Sequence, residues 1–165
     1  MTDLAPLLPA ARALLDLCRD RRLTIATAES CTGGLVAGVL TEIPGSSAVV
    51  ERGFVTYSNA AKTELLGVPA ALLARAGAVS REVAEAMAAG ALAHSPADLA
   101  VAITGIAGPD GGTAEKPVGL VHFAAGRRGG VTIHRERRFG NIGRSGVRLA
   151  SVAEALAMLT ELADG

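Results

Sequence analysis

The chain has 165 residues, sixteen basic and sixteen acidic side chains, and no formal net charge. That length fits one domain, residues 1–165, with enough interior to fold without disulfides. Neutral charge, 2% aromatic residues and no tryptophan argue against a nucleic-acid or anionic-membrane surface, which needs clustered cations or stacking rings.

Leu7, Ala11, Leu14, Leu15 and Cys18 recur at helical spacing, which predicts a helix over about 5–20. Leu23 to Ala28 reads as a buried strand. Glu29-Ser30-Cys31-Thr32-Gly33-Gly34 then turns into an apolar helix that Pro44 and Gly45 end. Residues 53–57 read as a second strand, and Ser58-Asn59 as the cap of a short helix at 60–66. Gly67 and Pro69 punctuate the chain before Ser80, which caps a helix at 81–94. A third strand covers 98–104. The Gly- and Pro-rich stretch 105–119 is a long loop. Residues 120–125 and 131–138 form a hairpin, and apolar residues from Leu149 to Ala163 mark a C-terminal helix. Early alternation of strands and helices with a late hairpin predicts an α/β domain, a mixed β-sheet flanked by helices.

No apolar run is long enough for a membrane span, and the first twenty residues lack the basic start of a secretion signal. These features predict a cytoplasmic chain. Cys18 and Cys31 have no metal-ligand spacing, and His94, His122 and His134 are scattered, so no metal site is expected. P-loop, GxGxxG and GxSxG patterns are absent. Lys62 and Lys116 are the only lysines; arginine cannot accept a proton near neutral pH, so the two lysines draw attention, although chance would leave the same pair.

Four places have the residue types for chemistry. At Ser30, a strand gives way to a helix. The backbone N–H groups of Cys31, Thr32, Gly33 and Gly34 would be free there to bind an oxyanion or a phosphate, although a plain helix cap has the same composition. Cys31 is an alternative nucleophile without a recognisable histidine base. Tyr57 and Lys62 flank a strand end and a helix start, where a lowered pKa would make Lys62 a base and Tyr57 could relay a proton or orient it. The loop from Thr104 through Gly105 and Gly108 follows a strand end, where α/β sheets bind ligands. Arg144 and Arg148, four residues apart, would pair on one helical face as a phosphate clamp or form a solvated surface. Arg135, Arg137 and Arg138 read as a surface or a subunit contact.

Together AESCTGG, GSS, GFVTYSN-x-x-K, ITGIAGPDGG and KPVGLVHFA, in this order over about residues 8–163, resemble the CinA C-terminal domain family. Its stand-alone members hydrolyse the carboxamide of nicotinamide mononucleotide to nicotinate mononucleotide and ammonia. The resemblance implies a CinA C-terminal domain-like fold, no metal and no cofactor. It implies Ser30 as nucleophile and Lys62 as general base with Tyr57 assisting. Ser47 of GSS becomes a reserve nucleophile or hydrogen-bonding partner, Thr104, Gly105 and Gly108 line the nucleotide pocket, and Arg144 binds phosphate. The family often has Gly-Asp-Arg before the last helix where this chain has Ile142-Gly143-Arg144, which removes an acidic partner for Arg144. The implied partner is a small nucleotide, with neither nucleic acid nor membrane. The small Ala-rich domain also suggests a homo-oligomer, a dimer first. The competing readings are a phosphonucleotide-binding module without turnover and an interaction domain in DNA uptake or repair.

Overall fold

Short apolar strands with a helix-forming segment between them build three layers. The computed structural model describes residues 2–165. After a 3-10 turn at Ala5–Leu7 come α1 (Leu8–Asp20), β1 (Ile25–Glu29), α2 (Leu35–Thr41) and β2 (Val50–Val55). Helices α3 (Asn59–Leu66), α4 (Ala70–Ala76) and α5 (Arg81–Ala93) lead to β3 (Leu99–Gly105), the hairpin β4 (Leu120–Arg127) and β5 (Thr132–Arg138), and finally α6 (Arg144–Asp164). The sheet order is β2-β1-β3-β4-β5. The first three strands run parallel, and β4 and β5 are antiparallel.

Side chains alternate across the pleat, so each strand feeds two cores. On one face Ile25, Val101, Ile103, Val121 and Phe123 pack with α1, α2 and α6. On the other, Ala26, Ala28, Ala100, Ala102 and Ala124 meet α3, α4 and α5. Alanine on that second face lets α5 lie close to the sheet. No helix among the described residues is long and apolar enough to cross a membrane.

The α/β architecture matches the expectation, with local differences. The second strand is Val50–Val55 rather than 53–57: Thr56 makes a last bond to β1 through its N–H on the Glu29 carbonyl, and from Tyr57 the chain turns into α3. Helix α4 was not foreseen: Pro69, read only as punctuation, stands at its N-cap, where proline's fixed φ is compatible with a helix start. Helix α6 begins at Arg144, so both arginines lie inside its first turns. Arg135 and Arg137 ion-pair with Glu154 of α6 in the same chain, while Arg137 and Arg138 stay exposed at the surface.

Ser58 and Ser80 cap their helices as expected, each accepting from the backbone N–H three residues on. Helices α3 and α5 touch through Gly90, where a Cβ would stand 2.0 Å from the Leu66 carbonyl oxygen. Gly90→Ala is therefore expected to push α3 from its seat. The expected loss is about 3 kcal/mol of stability, measurable as a shift of the urea midpoint.

Candidate active site

Ser30, Tyr57 and Gly105 all lie beyond or at the carboxyl ends of the parallel strands, where open α/β sheets place ligands. They line a cleft of about 270 Å³ with Cys31, Gly108, Asp110 and Arg144.

Even-numbered β1 residues face α3 and α5, so Ser30, following Ala26 and Ala28, turns its side chain to that face. Lys62 comes from α3 to meet it: Nζ lies 3.1 Å from Ser30 Oγ. Lys62 is only 1% exposed, and its other partners are the main-chain carbonyls of Thr56 at 2.9 Å and Tyr57 at 3.4 Å. Burial lowers the pKa of its ammonium below the ordinary lysine value, and no carboxylate offsets this.

Odd-numbered Glu29 points to the other face. Its buried carboxylate accepts from the N–H groups of Val36 at 2.9 Å and Ala37 at 3.1 Å. It thereby caps α2. The Val36 and Ala37 N–H groups are thus spent on Glu29 and closed to a substrate. Between Glu29 and α2, residues 31–34 form a turn in which Gly33 and Gly34 both have positive φ, 58° and 98°, a backbone region that favours glycine. The Gly33 N–H closes back on the Ser30 carbonyl at 3.0 Å.

The remaining expected residues separate into those in the cleft and those outside it. Tyr57 lines it, but its phenol is not on Lys62. The oxygen accepts from Arg144 at 2.8 Å, and only the Tyr57 carbonyl reaches the lysine, which corrects the picture of the ring orienting the base. Arg144 also donates to the Gly108 carbonyl at 2.8 Å, so it is held in the cleft without an acidic residue at position 143. Arg148 is not its partner in a clamp: it bonds the carbonyls of Cys31 and Thr32 instead. Gly105 and Gly108 line the cleft, while buried Thr104 donates to the Ala78 carbonyl at 2.8 Å and ties the end of β3 to the segment before α5. Burial pushes the Cys31 thiol up to about 11, which keeps it protonated at neutral pH. Ser47 is exposed in a 3-10 turn before β2. β2 runs parallel to β1, so the length of β1, roughly 17 Å at the usual rise, separates Ser47 from Ser30 within one chain.

Sequence reasoning missed Glu29, the Thr56 carbonyl, Asp110 and the grip of Arg148. Glu29 did carry a signal, as an acidic residue closing an apolar strand. A carbonyl carries none.

The model of the CinA C-terminal domain matches residues 8–163. The chain is 50% identical to nicotinamide-nucleotide amidohydrolase PncC of Escherichia coli K12, over 96% of this chain and 95% of that protein. It is 55% identical over 150 residues to a putative competence-damage inducible protein of Symbiobacterium thermophilum. It spans about a third of the length of the first curated relatives it matches. Among solved structures, the competence/damage inducible protein CihA of Agrobacterium tumefaciens superposes with a TM-score of 0.93 at 57% identity, covering 94% of each chain. With the match running nearly from end to end and including the turn that holds Ser30 and the helix that holds Lys62, the chain belongs to the CinA C-terminal domain family.

Proposed function

We propose that this chain is an amidohydrolase that cleaves the carboxamide of nicotinamide mononucleotide with Ser30 as nucleophile and Lys62 as general base. One observation carries the reading: a buried lysine without a carboxylate, 3.1 Å from a serine hydroxyl. A neutral amine has two N–H donors and one lone pair. The carbonyls of Thr56 and Tyr57 accept the two donors, and the lone pair is left for the Ser30 hydroxyl.

Nζ takes the hydroxyl proton as Oγ bonds the carboxamide carbon, and the C=O electron pair moves to oxygen. As the tetrahedral centre collapses, the C–N bond breaks and Lys62 returns the proton to the departing ammonia. Water then attacks the acyl-enzyme, giving its proton to Lys62. Nicotinate mononucleotide leaves as that proton passes back to Ser30. Main-chain N–H groups of the turn at 31–34 stabilise the oxyanion. Near-complete coverage of the PncC relative supports nicotinamide nucleotide as the substrate class.

The direct test is ammonia release from nicotinamide mononucleotide by the purified protein, set against the same assay with nicotinamide riboside. Hydrolysis of neither substrate would remove the proposal. Arg144, in the cleft, is placed to hold the phosphate. Arg144→Ala is therefore expected to raise KM for the mononucleotide roughly tenfold or more, the worth of a charge-assisted hydrogen bond, and to leave the riboside's KM within about twofold. Equal changes for both substrates would remove Arg144 from phosphate recognition.

A further inference from the structure

We propose that Arg148 is a positioning residue that fixes the Thr32 main-chain N–H as the oxyanion donor opposite Ser30; this rests on Ser30 being the nucleophile. Arg148 reaches from α6 and donates through Nε to the Cys31 carbonyl at 3.1 Å and through Nη2 to the Thr32 carbonyl at 3.2 Å. Helix α6 packs on one face of the sheet and α3 on the other. Ser30 Oγ meets Lys62 on the α3 side.

A trans peptide points its N–H opposite to its C=O. The Cys31 carbonyl shares its plane with the Thr32 N–H, and the Thr32 carbonyl with the Gly33 N–H. Drawing both carbonyls towards α6 therefore turns both N–H groups towards the side of the Ser30 hydroxyl. The Gly33 N–H is already committed to the Ser30 carbonyl. The N–H groups of Cys31, Thr32 and Gly34 have no hydrogen-bond partner among the described residues, and of these only that of Thr32 shares its peptide with a carbonyl held by Arg148, so it is the donor that Arg148 orients.

Two charged groups hold this turn. Glu29 anchors its far end through Val36 and Ala37, and the guanidinium of Arg148 grips its carbonyls. The guanidinium lies against the turn, and a Cβ at Gly33 would stand 3.4 Å from Nη2, in contact with it. A carbonyl that accepts from a cation also polarises the N–H of its own peptide, strengthening the next hydrogen bond by roughly 10–30%. Lysine, a point charge, cannot reproduce the two-pronged grip.

The test uses Arg148→Lys and Arg148→Gln with two readouts. One is steady-state kinetics on nicotinamide mononucleotide across pH. The other is the rate at which a small alkyl fluorophosphonate modifies Ser30, followed by mass spectrometry, since that reaction also places negative charge on an oxygen beside the serine. Expected for both variants is a roughly 10- to 100-fold fall in kcat and in the modification rate, short of the full loss of an oxyanion donor. KM is expected to stay within about threefold, and the pH midpoint of the ascending limb to stay in place. If Arg148→Gln fails to fold by circular dichroism, Arg148→Lys, which keeps the stem and the charge, decides alone. Wild-type modification rates in the folded variants, or a change in KM alone, would overturn the role of Arg148. A wild-type protein that neither releases ammonia nor is modified at Ser30 would remove the nucleophile assignment and this inference with it. Modification of Ser30 without ammonia release would remove only the substrate, and the modification rates would still decide Arg148.

Discussion

Alanine in place of Ser30 is expected to abolish ammonia release, lowering kcat by at least about a thousandfold, as deletion of a catalytic nucleophile does in serine hydrolases. The change removes one oxygen from a small, nearly buried side chain whose hydroxyl partner is Lys62, so the fold should survive with an unaltered melting curve. Neither neighbour can take over. Cys31 keeps its proton, with its pKa pushed up to about 11, and Ser47 lies at the other end of the strands. Near-wild-type turnover in a folded Ser30→Ala protein would sink the assignment.

Replacing Lys62 should cost as much by a different route. Lys62→Arg keeps a cation but cannot accept a proton, and Lys62→Met keeps the length without the amine; both are expected to lose about a thousandfold or more in kcat. On the proposed mechanism the active form is the neutral amine, so kcat/KM should rise with pH and level off around an inflection below the ordinary lysine value of 10.5. Stability follows the same sign. Burial lowers the folded-state pKa, so between that lowered value and 10.5 the unfolded chain binds more protons than the folded one, and stability rises with pH across that window. The buried thiols of Cys18 and Cys31, both pushed up from 9.0 to about 11, add the opposite slope above pH 9 in any variant that keeps them. The Lys62 contribution is therefore read as the difference between wild-type and Lys62→Met denaturant midpoints along a pH series, which should rise with pH across the window; a flat difference would remove it.

The legible parts of this molecule were those written in residue types. Apolar runs marked the strands, Ser58 and Ser80 marked helix starts, and the scarcity of lysine pointed to Lys62 and Lys116, between which the family resemblance chose. The turn after Ser30 was legible for the same reason, because two glycines suit positive φ, while the part of Ser30 as nucleophile came from the family resemblance. What stayed hidden is relational. Nothing in a one-dimensional pattern says that Arg148 and Arg144, one helical turn apart, reach different targets, since that depends on where α6 crosses the sheet. The Thr56 and Tyr57 carbonyls that orient Lys62 belong to the backbone and have no letter. Helix α4 hid behind Pro69 because proline both breaks helices and starts them.

The positions of the lining residues along the chain have a consequence for how this protein changes over time. The serine, the lysine and the carbonyls that orient it all fall between residues 30 and 62. The opposite wall of the cleft comes from residues 105–111 and from Arg144. The serine–lysine pair and the loop wall are thus encoded in separate stretches, joined through the sheet and through the bonds of Arg144 to Tyr57 and of Arg148 to the turn at 31–32. A lineage could rewrite the second stretch to admit a different amide while the first stays fixed, and loop exchange at 105–111 is the corresponding route for redesign.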